Sequence, residues 1–250
     1  MDVHVSGHAP RFADRVAAML ERVEHRPAIS RADREAAYRL RYEAYLRENL
    51  LNERLDSTLY DEAYDESPNS LTTMTYIDGE LASTVRVHVV HDEAAVSPAL
   101  DVFPDVLAPL LKGRRVIIDP SRLAARAEMA RKFPELPYFA LRPPWMAARH
   151  FNADFIVVSC ASGHVGYYRR TFRAQAWSGL RSYPKVTAKV VCMGLEFAAE
   201  GDLVEARYPS FRSTPAEREA LFGDFALALE PATAPRGRVP AAADAQQAEG

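Results

Sequence analysis

Over its 250 residues the sequence carries two cysteines, a net charge of −3 and no apolar run of the roughly 18 residues that a membrane-spanning helix needs. Cys160 and Cys192 both sit in apolar, strand-like runs. They read as small buried hydrophobes, which excludes a disulfide framework, and no CxxC-type spacing offers a metal site. The N-terminus, Met1 to Pro10, lacks the basic flank and apolar core of a signal peptide, so a cytoplasmic protein is expected. Acid is also missing locally. From Phe155 to Leu195 there is no Asp or Glu, while Arg169, Arg170, Arg173, Arg181, Lys185 and Lys189 fall in that stretch. A basic face there, extended by the arginines between Lys112 and Lys132, suits an acidic partner. The basic stretches lack interleaved exposed aromatics and a recognition helix, so nucleic acid is not the expected partner.

With 48% hydrophobic and 26% charged residues, the chain can bury one sizeable core. One domain is expected over 11–230, between a disordered start at 1–10 and a disordered tail at 231–250, whose Ala, Pro, Gly and polar residues cannot form a core. Helical spacing covers Arg11 to Glu24, and Ser30 is placed to cap a second helix from Arg31 to about Leu50. That helix carries Tyr38, Tyr42 and Tyr45 around Arg41, which needs a partner if buried. Asp78-Gly79 between two β-rich runs, Leu71–Ile77 and Glu80–Val90, predicts a hairpin with a type I′ turn. Arg86 then lies inside an apolar strand, facing either water or a pocket.

Arg115 to Arg122 (RVIIDPSR) reads as a strand buried on both faces that Pro120 ends. Asp119, Ser121 and Arg122 would form a polar rim at its end; turn chemistry, with Asp119 as a cap and Arg122 in water, is the plainer alternative. Asp92 to Lys112 and Leu123 to Pro137 read as connections. A helix follows over Tyr138 to Phe151, broken or begun at Pro143-Pro144, then a strand to Cys160, a helix over Gly163 to Phe172, and a strand over Lys185 to Phe197. The order predicts a mixed α/β fold, a mostly antiparallel sheet flanked by helices, and resembles the GNAT acyltransferase fold.

Arg41-Tyr-Glu-Ala-Tyr45, Tyr64-Asp65, Arg86 and Asp119-Pro-Ser-Arg122 resemble the motif series of acyl-homoserine-lactone synthases. His164 with Tyr167-Tyr168-Arg169-Arg170, followed by Arg181-x-Tyr183-Pro184, is more similar to the related N-acyl amino acid synthases. The resemblance implies transfer of a long-chain acyl group to the amine of an amino acid. It implies no permanently bound cofactor. At the place where GNAT enzymes hold CoA on a glycine-rich loop, this chain reads Arg122-Leu-Ala-Ala125-Arg-Ala127. That favours a thioester on the phosphopantetheine arm of acyl carrier protein over acyl-CoA, with Arg126, Arg169, Arg170 and Arg173 meeting the acidic carrier. Both tryptophans, Trp145 and Trp177, lie far from the position typical of lactone makers. Lactone synthesis is thus the alternative activity, and a non-catalytic module on the same fold is another.

The resemblance assigns Asp119 as the base that frees the amine, with Asp65 and Asp61 as alternatives that hold the amine instead. Tyr168, with Tyr167 second, would protonate the leaving thiolate. Arg41, Arg86 and Arg122 are candidates for the acceptor carboxylate, with Tyr45 and Ser121 beside them. Backbone N–H groups where the central strands splay would receive the oxyanion. An apolar slot near Trp145 and Met146 would take the acyl chain, and a Cys160–His164 nucleophile is disfavoured because buried thiols are inert.

Overall fold

The computed structural model describes residues 12–51, 57–92 and 94–225; the expected disordered segments, 1–10 and 231–250, lie outside them. Among the described residues one sheet forms from β1 (Val23–Pro27), β2 (Ser70–Ile77), β3 (Glu80–Val90), β4 (Ile117–Ala125), β5 (Phe155–Ala161), β6 (Gln175–Ala176), β7 (Arg181–Ser182) and β8 (Lys189–Glu196). Its order is β1-β2-β3-β4-β5-β8-β6, with β7 also paired to β8. Only β4 and β5 run parallel. The helices are α1 (Phe12–Ala18), α2 (Arg31–Arg47), α3 (Glu62–Asp65), α4 (Pro98–Val102), α5 (Pro104–Leu107), α6 (Ala127–Lys132), α7 (Leu136–Ala140), α8 (Arg142–His150), α9 (Val165–Phe172), α10 (Phe197–Arg207) and α11 (Pro215–Phe222). Helices α2 to α5 cover one face of the sheet and the others pack on the opposite face, where Trp145 anchors the larger core. This is the mixed, mostly antiparallel α/β architecture expected.

Local chemistry explains the elements the sequence announces. Ser30 and Asp33 form a reciprocal capping box at the start of α2. Asp78 and Gly79 take φ values of 53° and 80°, the two positive angles that a type I′ turn requires, and Ile77 pairs with Glu80 across it. Leu141 separates α7 from α8, with Pro143 and Pro144 in the first turn of α8, where a missing N–H costs little.

Elsewhere the sequence reading needs correction. The first helix stops at Ala18; after a 3-10 turn, Val23 and Glu24 begin β1 instead of ending a helix. The Asp92 to Lys112 connection contains α4 and α5, each opened by a proline at its N-terminus. The Leu123 to Pro137 connection contains the end of β4 and all of α6. The largest correction concerns Pro120, which does not end its strand. It ends a pairing. β4 meets β5 only at Ile117 and Ile118, and beyond Pro120 it stays with β3 alone. A proline in a sheet belongs where a ladder partner is missing, and here that partner is β5. Asp119, Ser121 and Arg122 are therefore buried within a strand and are not a solvent-facing rim.

β4 also carries a bulge. Arg86 pairs with Ser121 and Thr84 with Ala124, so two steps of β3 match three of β4, and Arg122 takes up the difference with φ 52°. On β8, Gly194 has a different constraint: a Cβ there would lie 2.2 Å from the ring of Trp177, which covers the strand backbone. Gly194→Ala is expected to destabilise the protein by about 1–3 kcal/mol through this overlap. A lower midpoint of urea unfolding at unchanged slope would show it, and an unchanged midpoint would refute the overlap.

Candidate active site

The polar residues singled out in the sequence converge on the α2–α5 side of the sheet. Arg41 extends from α2 and is fully buried. Its Nη1 donates to Asp65 Oδ1 at 2.8 Å and its Nη2 to Thr72 Oγ1 at 2.7 Å. Arg86, on β3 and equally buried, places Nη1 3.1 Å from the same Asp65 oxygen and donates from Nε to Ser121 Oγ at 3.1 Å. The remaining Asp65 oxygen accepts the Asp61 N–H at 2.8 Å. Burial alone would raise the Asp65 carboxyl, but the two guanidinium groups outweigh it and hold the group below its ordinary range. Nη1 of Arg86 meets Asp65 as an ion pair outside hydrogen-bond geometry, and Nη2 has no acceptor in the protein.

Asp119 faces this cluster from β4. Its Oδ2 accepts from Ser97 Oγ at 2.7 Å and from the Ala99 N–H at 3.0 Å, whereas Oδ1 is buried without a partner. Burial pushes its carboxyl up to about 6, with those two donors and Arg86 opposing. His88, its cross-strand partner, donates from Nε2 to the Tyr64 carbonyl at 3.1 Å and is held neutral by burial, down to about 3. Arg122 lies between Tyr45 and Tyr183, 5.7 and 5.8 Å from their ring centres, and 3.9 Å from Asp61. Asp61 is held at 3.1 Å by Lys185, from the segment between β7 and β8.

The opposite face of the same strand is apolar. A narrow cleft lined by Pro120, Trp145, Ile156, Tyr168, Phe172 and Met193 among others lies where β4 leaves β5. Trp145 forms one wall, fixed by its Nε1–H donating to Glu205 at 2.9 Å. Met146 packs in the core behind it and does not line the cleft. Burial raises the Tyr168 hydroxyl, keeping it a proton donor. Tyr167 turns instead toward Tyr138 and Phe172.

The arginines expected to meet a partner do not form one group. Arg169 and Arg170 are exposed on α9, Arg173 is paired with Glu200, and Arg126 sits beside β3 with its N–H on Ala82. Arg122 is buried and Arg181 pairs with Asp105, so the basic face is thinner than composition suggests. The thiols of Cys160 and Cys192 are pushed up by burial to about 11 and about 12, and His164 is exposed. No group of three His, Cys, Asp or Glu among the described residues is arranged to hold a metal ion, and no described helix is long and apolar enough to cross a membrane. Two residues escaped the sequence reading. His88 shares a strand face with Arg86 two residues earlier, a signal that was available. Ser97 precedes Pro98 as a recognisable helix cap, but nothing in the sequence joins it to Asp119.

A family model described as N-acyl amino acid synthase FeeM matches residues 36–196, from α2 to the end of β8. Among solved structures, FeeM, an N-acyl amino acid synthase from uncultured soil microbes, superposes with a TM-score of 0.61 at 17% identity, covering 74% of this chain and 98% of that one. The acyl-homoserine-lactone synthase LasI gives 0.51 at 14% identity, covering 69% and 88%. The CoA-dependent acyl-homoserine-lactone synthase MesI gives 0.52 at 16% identity, covering 77% and 97%. These structures share the fold. No curated protein sequence matches.

Asp65 is the shared counter-ion of two buried guanidinium groups, so Asp65→Asn leaves both uncompensated. A loss of about 3–5 kcal/mol is expected at pH 7, read from urea unfolding. Because the native Asp65 pKa is depressed, its contribution is complete above the ordinary carboxylate range and is lost as pH falls through the native value. The gap between wild type and variant should therefore narrow in acid; a gap that stays constant down to low pH would contradict the ion triad.

Proposed function

The chain belongs to the N-acyl amino acid synthase FeeM family, and on that premise we propose that it moves a long-chain acyl group from a carrier-protein thioester to the α-amine of an amino acid. The observation that carries this reading is the buried Arg86 guanidinium, whose Nη2 has no acceptor and whose Nη1 meets Asp65 only as an ion pair, with the Asp119 carboxyl on the neighbouring strand holding an unpartnered Oδ1. A carboxylate on the acceptor would satisfy Arg86, with Arg122 and Arg41 adding positive potential. Asp119 then takes a proton from the acceptor ammonium, which leaves a neutral amine able to attack the thioester carbon. The C–N bond forms as the C–S bond breaks. Tyr168 gives a proton to the departing sulfur and recovers one from the attacking nitrogen, which sheds its second proton to become the amide, while the backbone at the β4–β5 divergence offers N–H groups to the oxyanion.

The apolar cleft supports a fatty acyl donor. Burying each methylene contributes about 0.8 kcal/mol, which favours long chains as far as the Trp145 wall allows. Alanines 124, 125 and 127 favour a carrier protein over CoA, since β4 continues through the first two and no glycine lets a pyrophosphate approach. Exposed Arg169 and Arg170 suit an acidic carrier. A cytoplasmic setting, with its reducing poise, would suit the free buried cysteines.

The purified protein is expected to form an N-acyl amino acid when given long-chain acyl carrier protein and a panel of amino acids, read by mass spectrometry, with acyl-CoA as the weaker donor. Asp119→Asn should lower kcat/KM by about a hundredfold or more. Wild-type kcat/KM should fall as pH drops through about 6, where Asp119 gains its proton and can no longer accept another. Absence of product with both donors would overturn the reading; an acyl lactone as product would replace its second half.

A further inference from the structure

The carboxyl of Asp119 is held asymmetrically, and the asymmetry is imposed by a segment far from it in sequence. Ser97 is itself buried and caps α4, its oxygen accepting the Leu100 N–H at 3.1 Å. With that lone pair engaged, the hydroxyl hydrogen is free to donate, and it meets Asp119 Oδ2 at 2.7 Å. The Ala99 N–H reaches the same oxygen at 3.0 Å. Oδ2 thus holds two donors, while Oδ1 is buried with none.

The groups that face Asp119 are Arg86 and His88 on β3, Asp101 on α4, Tyr183 after β7 and Cys192 on β8. Burial keeps His88, Tyr183 and Cys192 neutral near pH 6. None of these three supplies a charge that would choose between the two carboxyl oxygens. Ser97 and the Ala99 amide do so by direct contact, because a hydrogen bond to the ionised form favours that form and occupies the oxygen it touches.

We propose that Ser97 is a positioning residue for the acyl transfer: together with the Ala99 amide it fixes Asp119 Oδ2 and leaves Oδ1 as the oxygen that receives the acceptor's proton. The inference rests on Asp119 as the base of the reaction proposed above. One proton moves, from the acceptor ammonium to Oδ1, giving a neutral amine and a neutral carboxylic acid whose Oδ2 keeps its contact with α4. Removing the Ser97 hydroxyl takes a donor from the ionised carboxylate and so makes Asp119 easier to protonate. Threonine retains both the donor and the helix cap.

The test follows the Asp119 carboxyl carbon by NMR in the full chain labelled at aspartate, assigned by its loss in Asp119→Asn, beside the pH dependence of kcat/KM. Ser97→Ala is expected to move the carboxyl midpoint and the acidic limb of activity upward together by about one pH unit. Ser97→Thr should return both to wild-type values. In the wild type the buried Ser97 hydroxyl proton should shift with the same midpoint as the Asp119 carboxyl, a readout that needs no variant to fold. An unchanged carboxyl midpoint in Ser97→Ala, or a wild-type hydroxyl proton that does not respond, would overturn the proposal. A carboxyl midpoint that moves while the activity limb stays would uphold the hold on Oδ2 and overturn Asp119 as the base.

Discussion

One carboxylate, that of Asp65, joins the parts of the fold that face the site. It bridges Arg41 from α2 and Arg86 from β3, while those arginines bind Thr72 on β2 and Ser121 on β4. Two buried guanidinium groups repel each other and lose their hydration, so neither is tolerable there without the shared anion. Arg41 feels the burial first: its pKa is lowered by desolvation, with Asp65 opposing and Arg86 adding to the effect. Replacing a buried ion triad with well-packed apolar residues is often neutral for stability. Here it would also remove the buried Arg86 Nη2 and Arg41 Nε donors, which have no acceptor in the protein.

The second constraint is the parting of β4 from β5 at Pro120. A sheet normally separates its two faces, and here the charged cluster and the apolar cleft lie on opposite sides of β4. Beyond Pro120, β4 is no longer paired to β5 where it divides them. On the function proposed above, the charged end of the acceptor would lie on one side and the acyl chain on the other.

Much of this architecture could be read from the sequence because its causes are local. The Asp78-Gly79 hairpin, the Ser30 capping box and the proline-opened α8 follow from backbone preferences within a few residues. Arg41 and Arg86 could be nominated because charged residues in apolar surroundings need partners, Ser121 and Arg122 as polar residues beside a proline at a strand's end, and Asp65 only through the motif series it resembles. Which partner each would find was not legible. Ser97 reaches Asp119 across 22 residues, and Lys185 reaches Asp61 from the other end of the chain, contacts set only when the layers close. Pro120 misled for a related reason: local preference says that a proline stops pairing, and tertiary context decides on which side of the strand it stops.

The bulge at Arg122 acts as a phase shift in β4. Before it, odd-numbered residues Ile117, Asp119 and Ser121 look toward α2 to α5; after it, even-numbered Ala124 does so, packed on Leu40 and Ala44, while Leu123 looks to the opposite core. Arg122 itself is turned toward Tyr45 and away from the cleft. A strand in uniform phase would aim that guanidinium at the hydrocarbon side. The position is therefore set by residue count as well as by residue identity: without the extra residue's irregularity, the same sequence in regular alternation would exchange the faces of Leu123 and Ala124.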